Sequence, residues 1–341
     1  MLRRSQISIT ESNVCKLNTL DRVFTEAKKV VNTYISNIWA QSDFKSKFVT
    51  FKVETWLSAR LQQCLGKQAL EIVRSQRKKK KRYKSEFKSD TINLDARFID
   101  VQYDNNSYDI WFKLNSIGKK ISLKLPGRKH KHKHYHKYDA WCTKKMYRLR
   151  KTNGKYFIDM IFEKEAPELK SQGDSIGIDI GYKKLIATSE SKKIDTGLEG
   201  VYNKISRKKQ GSKSFKRSLT ERDNKIGQSI NLLPFERVQK IVVEDLKGVK
   251  HRSKGKIFKK FNNKLQRWSY TKVLDKLSLR CEERGIFFMR VSPAYTSQKC
   301  CSCGFVHKDN RVSESFLCMN CGYVSDADYN AARNILALGS L

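Results

Sequence analysis

Two cysteine pairs of equal spacing, Cys300-x-x-Cys303 and Cys318-x-x-Cys321, stand fourteen residues apart toward the end of the chain. No other feature of the sequence constrains folding as tightly. Two such knuckles supply four thiolates to one tetrahedral Zn²⁺, which fixes a short segment too small to hold a core of its own. Gly304 and Gly322 each follow a knuckle, where the backbone must turn tightly. Four cysteines leave no open coordination position, so the expected zinc is structural rather than catalytic. Cys301, adjacent to one ligand, reads as a spare thiol. Cys15, Cys64, Cys142 and Cys281 have no ligand spacing and are expected in the core. The opening "MLRRSQISIT" has early charge with no apolar run behind it, unlike a signal peptide. Nine cysteines without such a signal fit a reducing compartment, so a cytoplasmic location is expected. No apolar stretch approaches the roughly 20 residues of a spanning helix, and no membrane partner is expected.

The charge names a partner class. Lys and Arg number 71 against 34 Asp and Glu, a net +37. A surface so one-sided repels itself unless a polyanion covers it, and a duplex of about 20 base pairs carries roughly 40 phosphates. Nucleic acid is the expected partner. The candidate phosphate contacts are the run Arg77, Lys78, Lys79, Lys80, Lys81 and Arg82, together with Arg207, Lys208 and Lys209. Lys129, Lys131 and Lys133 join them. They alternate with His130, His132, His134 and His136, and lysines so placed repel a cation, which favours an extended phosphate-contacting segment over a histidine metal site.

Apolar spacing divides the chain. Leu20, Val23, Phe24, Ala27, Val30, Val31, Tyr34, Ile35, Ile38 and Trp39 step as one face of a long helix, and a second helical pattern runs from Val53 to Val73. From about Thr91 the period becomes two: Ile92 and Leu94, Val101 and Tyr103, then Tyr108, Ile110, Phe112 and Leu114, then Ile121, Leu123 and Leu125. Asn153-Gly154 is a strong hairpin signal. An antiparallel sheet or small barrel follows from these runs. Beyond the polar linker "APELKSQGDS" the order alternates. "SIGIDIGYKKLIATSE" reads as two strands joined by a tight turn, and "KISRKKQGSKSFKRS" as a basic, mobile or helical stretch. "KIVVEDL" and "GIFFMRVSP" read as strands, and Leu265 to Arg284 as a helix. That order is a mixed α/β domain.

Carboxylates sit at chosen points of this pattern. Asp179 lies in "GIDIG", on the strand face opposite Ile176, Ile178 and Ile180 and between Gly177 and Gly181. The glycines leave room there for a metal and a phosphate. A strand-end acid capping a turn is the simpler alternative. Glu244 ends the apolar "IVVE", where burial is costly unless a cation accompanies it. Asp245 competes with it on the other face.

"GIDIGYKKLIA", "IVVEDLKG", "SPAYTSQKCCSCG" and "DADYNAARNIL" occur in the order seen in the TnpB family of transposon-encoded RNA-guided DNA nucleases, whose relatives are the smallest type V CRISPR effectors. The resemblance covers about half the chain, from Asp174 onward. It implies a ribonuclease-H-like (RuvC-type) nuclease domain over residues 171–296 and 324–341, interrupted by a zinc ribbon over 297–323. Ahead of it, the family pattern implies a wedge-like β-barrel over 1–17 and 86–170, carrying a short helical recognition lobe at 18–85. The catalytic set implied is Asp179, Glu244 and Asp328, holding two Mg²⁺ ions for attack by an activated water on a DNA phosphodiester. A guide RNA would choose the target DNA, and the protein would read a short flanking motif. A second copy of the chain is a further candidate partner. Two rivals stand beside it: a guide-directed repressor of the same ancestry that no longer cuts, and a strand-transfer transposase, also built on a ribonuclease-H-like fold. A purely structural RNA-binding protein would explain the charge but not three acids on buried elements.

Helical phase separates the two acids of "SDADYNAARN". With a helix starting near Asp326, Ala331, Ala332, Ile335 and Leu336 form its sheet-facing stripe. Asp328 falls on that stripe three and four residues earlier, whereas Asp326 points away as a helix-end charge. Ser325 and Asp328 read as an S-x-x-D capping box. A rigid ribbon just before would fix where this helix begins.

Overall fold

A computed structural model describes residues 1–41, 44–105, 107–128, 140–182, 184–252 and 258–340. The chain divides into two compact units, Met1–Glu165 and Ala166–Leu341.

The first unit opens with strand β1 (Leu2–Ser8), followed by helices α1 (Val14–Ala40) and α2 (Ala59–Arg77). The α1 residues read as one apolar face are buried from Leu20 to Ile38. The α2 helix starts later than its apolar spacing predicts. Ser58 is its N-cap, accepting a hydrogen bond from the Leu61 amide at 3.1 Å, and residues 53–57 lie outside the helix. Six strands complete the unit: β2 (Thr91–Asp95), β3 (Ile99–Asn105), β4 (Tyr108–Asn115), β5 (Ser122–Gly127), β6 (Cys142–Thr152) and β7 (Lys155–Glu163). They form two antiparallel sheets, ordered β1-β7-β6-β2 and β3-β4-β5. Asn153 and Gly154, with φ of 52° and 73°, make the two-residue turn between β6 and β7 that their sequence predicts. The barrel expected here is not closed among the described residues. Backbone hydrogen bonds of 3.1 and 2.9 Å between Ser8 and Arg128 join the two sheets at one corner, and a short turn at Ala96–Phe98 leads β2 into β3. One apolar core joins α1, α2 and the inward residues of both sheets.

The second unit is built on β8 (Asp174–Asp179), β9 (Ile186–Thr188), β10 (Lys193–Ile194), β11 (Val238–Glu244) and β12 (Phe287–Val291), in the order β10-β9-β8-β11-β12. β8, β11 and β12 are parallel, and β9 and β10 turn back antiparallel at one edge. Helices α3 (Leu198–Ser206) and α4 (Lys213–Asn231) lie between β10 and β11. α5 (Val249–Arg252), α6 (Lys259–Arg267) and α7 (Tyr270–Arg284) lie between β11 and β12. The helix expected from Leu265 to Arg284 is thus two helices. It breaks at Trp268-Ser269, where the Ser269 amide bonds the Tyr202 hydroxyl at 3.2 Å instead of continuing a helix. A small sheet follows, made of β13 (Arg311–Val312), β14 (Ser315–Leu317) and β15 (Val324–Asp326), and helix α8 (Ala327–Leu338) comes last.

Alternation along the strands assigns the two faces of the five-stranded sheet. Ile176, Ile178, Ile241 and Val243 join residues of α3, α4 and α7 in one core. Val242 and Val291 on the opposite face meet Ile335 of α8. The room beside Asp179 that its two glycines suggest is taken by backbone. A Cβ on Gly177 would lie 2.1 Å from the Ala332 carbonyl oxygen, and one on Gly181 would lie 2.3 Å from that of Lys184. Gly177 therefore lets α8 pack against the sheet, a packing role rather than a ligand-access role. Gly177→Ala is expected to force α8 away from β8 and cost about 2–4 kcal/mol, within the range for overpacked cores. A melting temperature within a degree of the parent would refute that. Among the described residues no helix is long and apolar enough to cross a membrane.

Candidate active site

Asp179 and Glu244 are the final residues of β8 and β11. The ladder pairs Val243 with Ile178, so one further step sets Glu244 beside Asp179 at the carboxyl ends of two parallel strands. By alternation both acids share the face of Gly177 and Val242, the face that α8 covers. α8 runs against the strand direction: Lys240, early in β11, bonds the carbonyl of Gly339, while Ala332 lies over Gly177. From Ala332 back to Asp328 is about 6 Å of helix, and from Gly177 to Asp179 is about 6.6 Å of strand. The third acid therefore arrives where the first two end.

The electrostatics agree with this geometry. Burial, then the charges of Glu244 and Asp328, push the Asp179 carboxyl up to about 7, against the opposing pull of Arg311 and the Ile180 amide. Burial also raises Glu244, while a hydrogen bond from the Thr296 hydroxyl and the charge of Arg311 work the other way. Arg311, on β13, donates to Asp328 Oδ1 at 3.0 Å. The Lys193 ammonium lies 3.4 Å from Asp328 Oδ2 and bonds Asp326. Of the three carboxylates, Asp328 is balanced by Arg311 and Lys193, whereas neither Asp179 nor Glu244 is in an ion pair among the described residues. Their all-oxygen donor set suits Mg²⁺.

The shift on Asp179 has a measurable consequence in the metal-free protein. Between about pH 4 and 7 the folded chain keeps a proton that the unfolded chain has released, so this group lowers stability as pH rises through that window. The full shift corresponds to about 4 kcal/mol, and the part of Asp179 that reaches solvent reduces what is realised. Asp179→Asn is therefore expected to melt higher than the parent in chelator, by a margin that widens from pH 4 to 7 and is flat above 8. A margin independent of pH would count against the clustering of the three acids.

Asp326 is the N-cap of α8, accepting from the amides of Asp328 at 2.9 Å and Tyr329 at 3.4 Å. The expected capping box on Ser325 does not form, because Ser325 is still paired with Phe316 in the β14–β15 ladder. Burial disfavours the ionised form of Asp326, but Lys193 and the capped amides outweigh it and hold the carboxyl below its usual range. Asp326 is thus the helix-end charge and Asp328 the acid of the cluster, as phase predicts.

The four cysteine sulfurs of the two knuckles lie within 4.8 Å of one another, a group that can hold a metal ion. Cys300 and Cys321 sulfurs are 3.8 Å apart, and those of Cys303 and Cys318 are 3.5 Å apart. Tetrahedral zinc with bonds of about 2.3 Å puts its thiolates about 3.8 Å apart, so the four residues fit Zn²⁺. Each knuckle closes with the same two bonds. Gly304 N donates to Cys300 O and Gly322 N to Cys318 O, both at 3.0 Å, while Cys300 N and Cys318 N donate to Phe305 O and Tyr323 O, both at 2.9 Å. Gly304 and Gly322 take φ of 80° and 70°, the left-handed turns their positions predict.

Side chains that sequence reasoning missed lock this ribbon to α8. Asn330 donates to the Lys299 carbonyl at 2.8 Å and accepts from the Cys301 amide at 2.9 Å. Asn334 donates to the carbonyls of Lys299 at 2.6 Å and Thr296 at 3.0 Å. Both amides are buried, one turn apart on the helix. Two asparagines at i and i+4 beside an apolar stripe were the available signal. Arg311 and Thr296 carried none. Of the cysteines assigned to the core, Cys281 is buried and its thiol is pushed up to about 12, but Cys15 and Cys142 are exposed, each at the edge of an element with an outward register.

The basic candidates scatter. The Arg77 guanidinium is committed to the carbonyls of Ile38 and Gln41 and lies 5.7 Å from the Trp39 ring centre, so it closes the end of α1. Lys78, Lys79, Lys80, Lys81 and Arg82 are exposed just beyond α2. Arg207 and Lys209 are exposed after α3, and Lys208 bonds the Ser218 hydroxyl at 2.7 Å. Lys129, Lys131, Lys133 and the four histidines among them lie outside the described residues.

Residues 270–335, from α7 through the ribbon into α8, match the family model "Cas12f1-like, TNB domain". The CRISPR-associated endodeoxyribonuclease Cas12f1 of Sulfoacidibacillus thermotolerans is 46% identical over 72 residues, which is 21% of this chain and 17% of that protein. A TnpB-like protein of Aquifex aeolicus is 40% identical over 99 residues, 28% of this chain and 31% of that protein. The matched part spans less than a third of the length of either relative. A solved Cas12f1–sgRNA–target DNA complex contains a chain of similar fold, with a TM-score of 0.55 and 15% identity over 92% of this chain and 81% of that one. The ribbon match, the TnpB-like relative and the shared fold agree with the motif order of the sequence: this chain is similar to TnpB-like proteins and to the compact type V effectors.

Proposed function

We propose that the chain is an RNA-guided DNA endonuclease whose active site is Asp179, Glu244 and Asp328. The observation that carries this reading is the convergence of three carboxylates from two parallel strands and the last helix, where burial and then the charges of Glu244 and Asp328 push Asp179 up to about 7. Acids with a structural role pair with cations, as Asp328 does with Arg311 and Lys193, but Asp179 and Glu244 stand buried side by side without an ion pair among the described residues, which suits a bound cation. Two Mg²⁺ ions bound there would lower the pKa of a water and stabilise the departing oxygen of a phosphodiester. Asp179, Glu244 and Asp328 would together hold the ions. Thr296 would hold Glu244 in place, and Arg311 would orient Asp328 while its remaining donors face a phosphate.

The second unit serves in this reading as a RuvC-like nuclease domain over 171–296 and 324–341, with residues 297–323 as its zinc ribbon. The sheets of the first unit act as the wedge and residues 18–85 as the recognition lobe, holding guide RNA and a short DNA motif beside the target. The excess of cations supports a partnership with both RNA and DNA. The test is cleavage of a plasmid by purified protein loaded with a matched guide. Cutting that needs Mg²⁺, the guide's match and Asp179 supports the reading; guide-dependent binding without any cut would favour a repressor.

A further inference from the structure

The face of the five-stranded sheet opposite α8 holds a cavity that the proposed chemistry does not use. It has a volume of about 570 Å³, in the range of small-molecule sites, and is lined where the ends of α3, α4, α6 and α7 meet. Its lining includes the apolar Ile205, Phe215, Leu219 and Trp268 and the cations Lys208, Arg222, Lys250, Arg267 and Lys272. Five cations around one cavity require anions, and the protein supplies few. Asp223 takes up Arg222, at 2.7 Å, and Lys272. Glu221 is taken up by Lys204 at 2.9 Å. Lys208 bonds a serine hydroxyl, and Lys250 bonds the Gln266 carbonyl at 2.8 Å. Neither of these, nor Arg267, is in an ion pair among the described residues. Burial, and next the charge of Arg222, lower the Lys250 ammonium below its usual range, which an arriving anion would relieve.

The position of the cavity selects the anion. The Trp268 indole donates to the Gly181 carbonyl at 3.0 Å, and Gly181 is two residues past Asp179, about 7 Å of extended chain. The cavity wall is therefore tied to the strand end that bears the first acid. Aromatic and cationic side chains lining one cavity can take a base and its phosphate together, in a way that tolerates any sequence.

We propose that this cavity seats one nucleotide of a single-stranded polynucleotide, with its phosphate among Lys208, Lys250 and Arg267 and its base on Phe215 and Trp268. The identity of that strand, as the one led to the acid cluster, rests on the nuclease reading; the binding does not.

The test uses the full chain carrying Asp179→Ala, in chelator, so that cleavage is irrelevant to the outcome. Binding of a fluorescent single-stranded 9-mer is followed by anisotropy across a salt series, at about 0.7 of a log–log salt slope per phosphate contact. Lys250→Gln with Arg267→Gln is expected to weaken binding about tenfold and to flatten the slope by about 1.4. Lys78→Gln with Lys79→Gln, the same charge change on the exposed run, is expected to weaken it about twofold. Arg267→Gln alone, at the rim, keeps the test open if the double variant unfolds, with about a threefold loss expected. Equal losses from the cavity and the exposed run would overturn the proposal, as would a free mononucleotide that competes as well as the 9-mer. If the cavity variants behave as expected but the parent never cuts DNA, the cavity stands and the nuclease reading falls.

Discussion

Asp179→Ala is expected to lower guide-directed DNA cleavage by about a thousandfold or more while raising the melting temperature of the metal-free protein. The first effect follows from the charge the site must manage. A bound divalent ion is worth several kcal/mol to a transition state, and each 1.4 kcal/mol is a factor of ten. Removing Asp179 removes one of the three proposed ligands of that ion. The second effect follows from the same crowding: Asp179 is held near pH 7 by burial and by Glu244 and Asp328, so its removal relieves repulsion in the folded state only. The joint outcome separates a functional acid from a structural one. A structural acid lost would give lower activity and lower stability together. Full cleavage by Asp179→Ala would leave the proposed site without support.

Cys318→Ser is the second large effect expected. Structural zinc in small domains contributes on the order of 10 kcal/mol of binding free energy, and the ribbon has few apolar residues to fold on without it. Its core among the described residues is Cys300, Phe316, Cys318 and Ala327, with Tyr323 beside them. Loss of one ligand should abolish the one-to-one zinc content, expose residues 297–326 to protease, and lower cleavage at least a hundredfold. The coupling to cleavage runs through named bonds. β15 ends in Asp326, the cap of α8, and the Ala327 amide is fixed to the Glu314 carbonyl at 2.9 Å. Without the ribbon, Asp328 and Arg311 lose their positions together. Cys301→Ser is the control, since its thiol is outside the four-sulfur group, and it should retain zinc and activity. If Cys318→Ser cut as well as the parent, α8 would not need the ribbon.

Much of this architecture was legible because burial imposes periodicity. The stripe of α1, the alternation of β4 and the apolar strand before Glu244 are each required by a face that must leave water. The turn at Asn153-Gly154 and the glycines after each knuckle were legible because few residues accept a positive φ. Less legible were features set by partners distant in sequence. The break between α6 and α7 depends on the Tyr202 hydroxyl, sixty-seven residues away from Ser269. Arg311 reaches Asp328 from a two-residue strand that has no pattern to read. The room around Gly177 looked like access for a ligand, and only the tertiary packing reveals the helix that fills it. Among the acids, strand parity and helix phase singled out Asp328 and set Asp179 and Glu244 on defined faces, but neither could show that the three meet.

The placement of α8 on the sheet also orders events in time. Asp179 and Glu244 belong to neighbouring strands, whereas Asp328 follows Glu244 by 84 residues of chain. At about 5–20 residues per second of synthesis, those residues take roughly 4–17 s to make. Throughout that interval the nascent protein has two acids of the three, although the cationic runs at 77–82 and 207–209 are already made. On the proposed function, its site is incomplete until α8 has been made and has docked on the sheet.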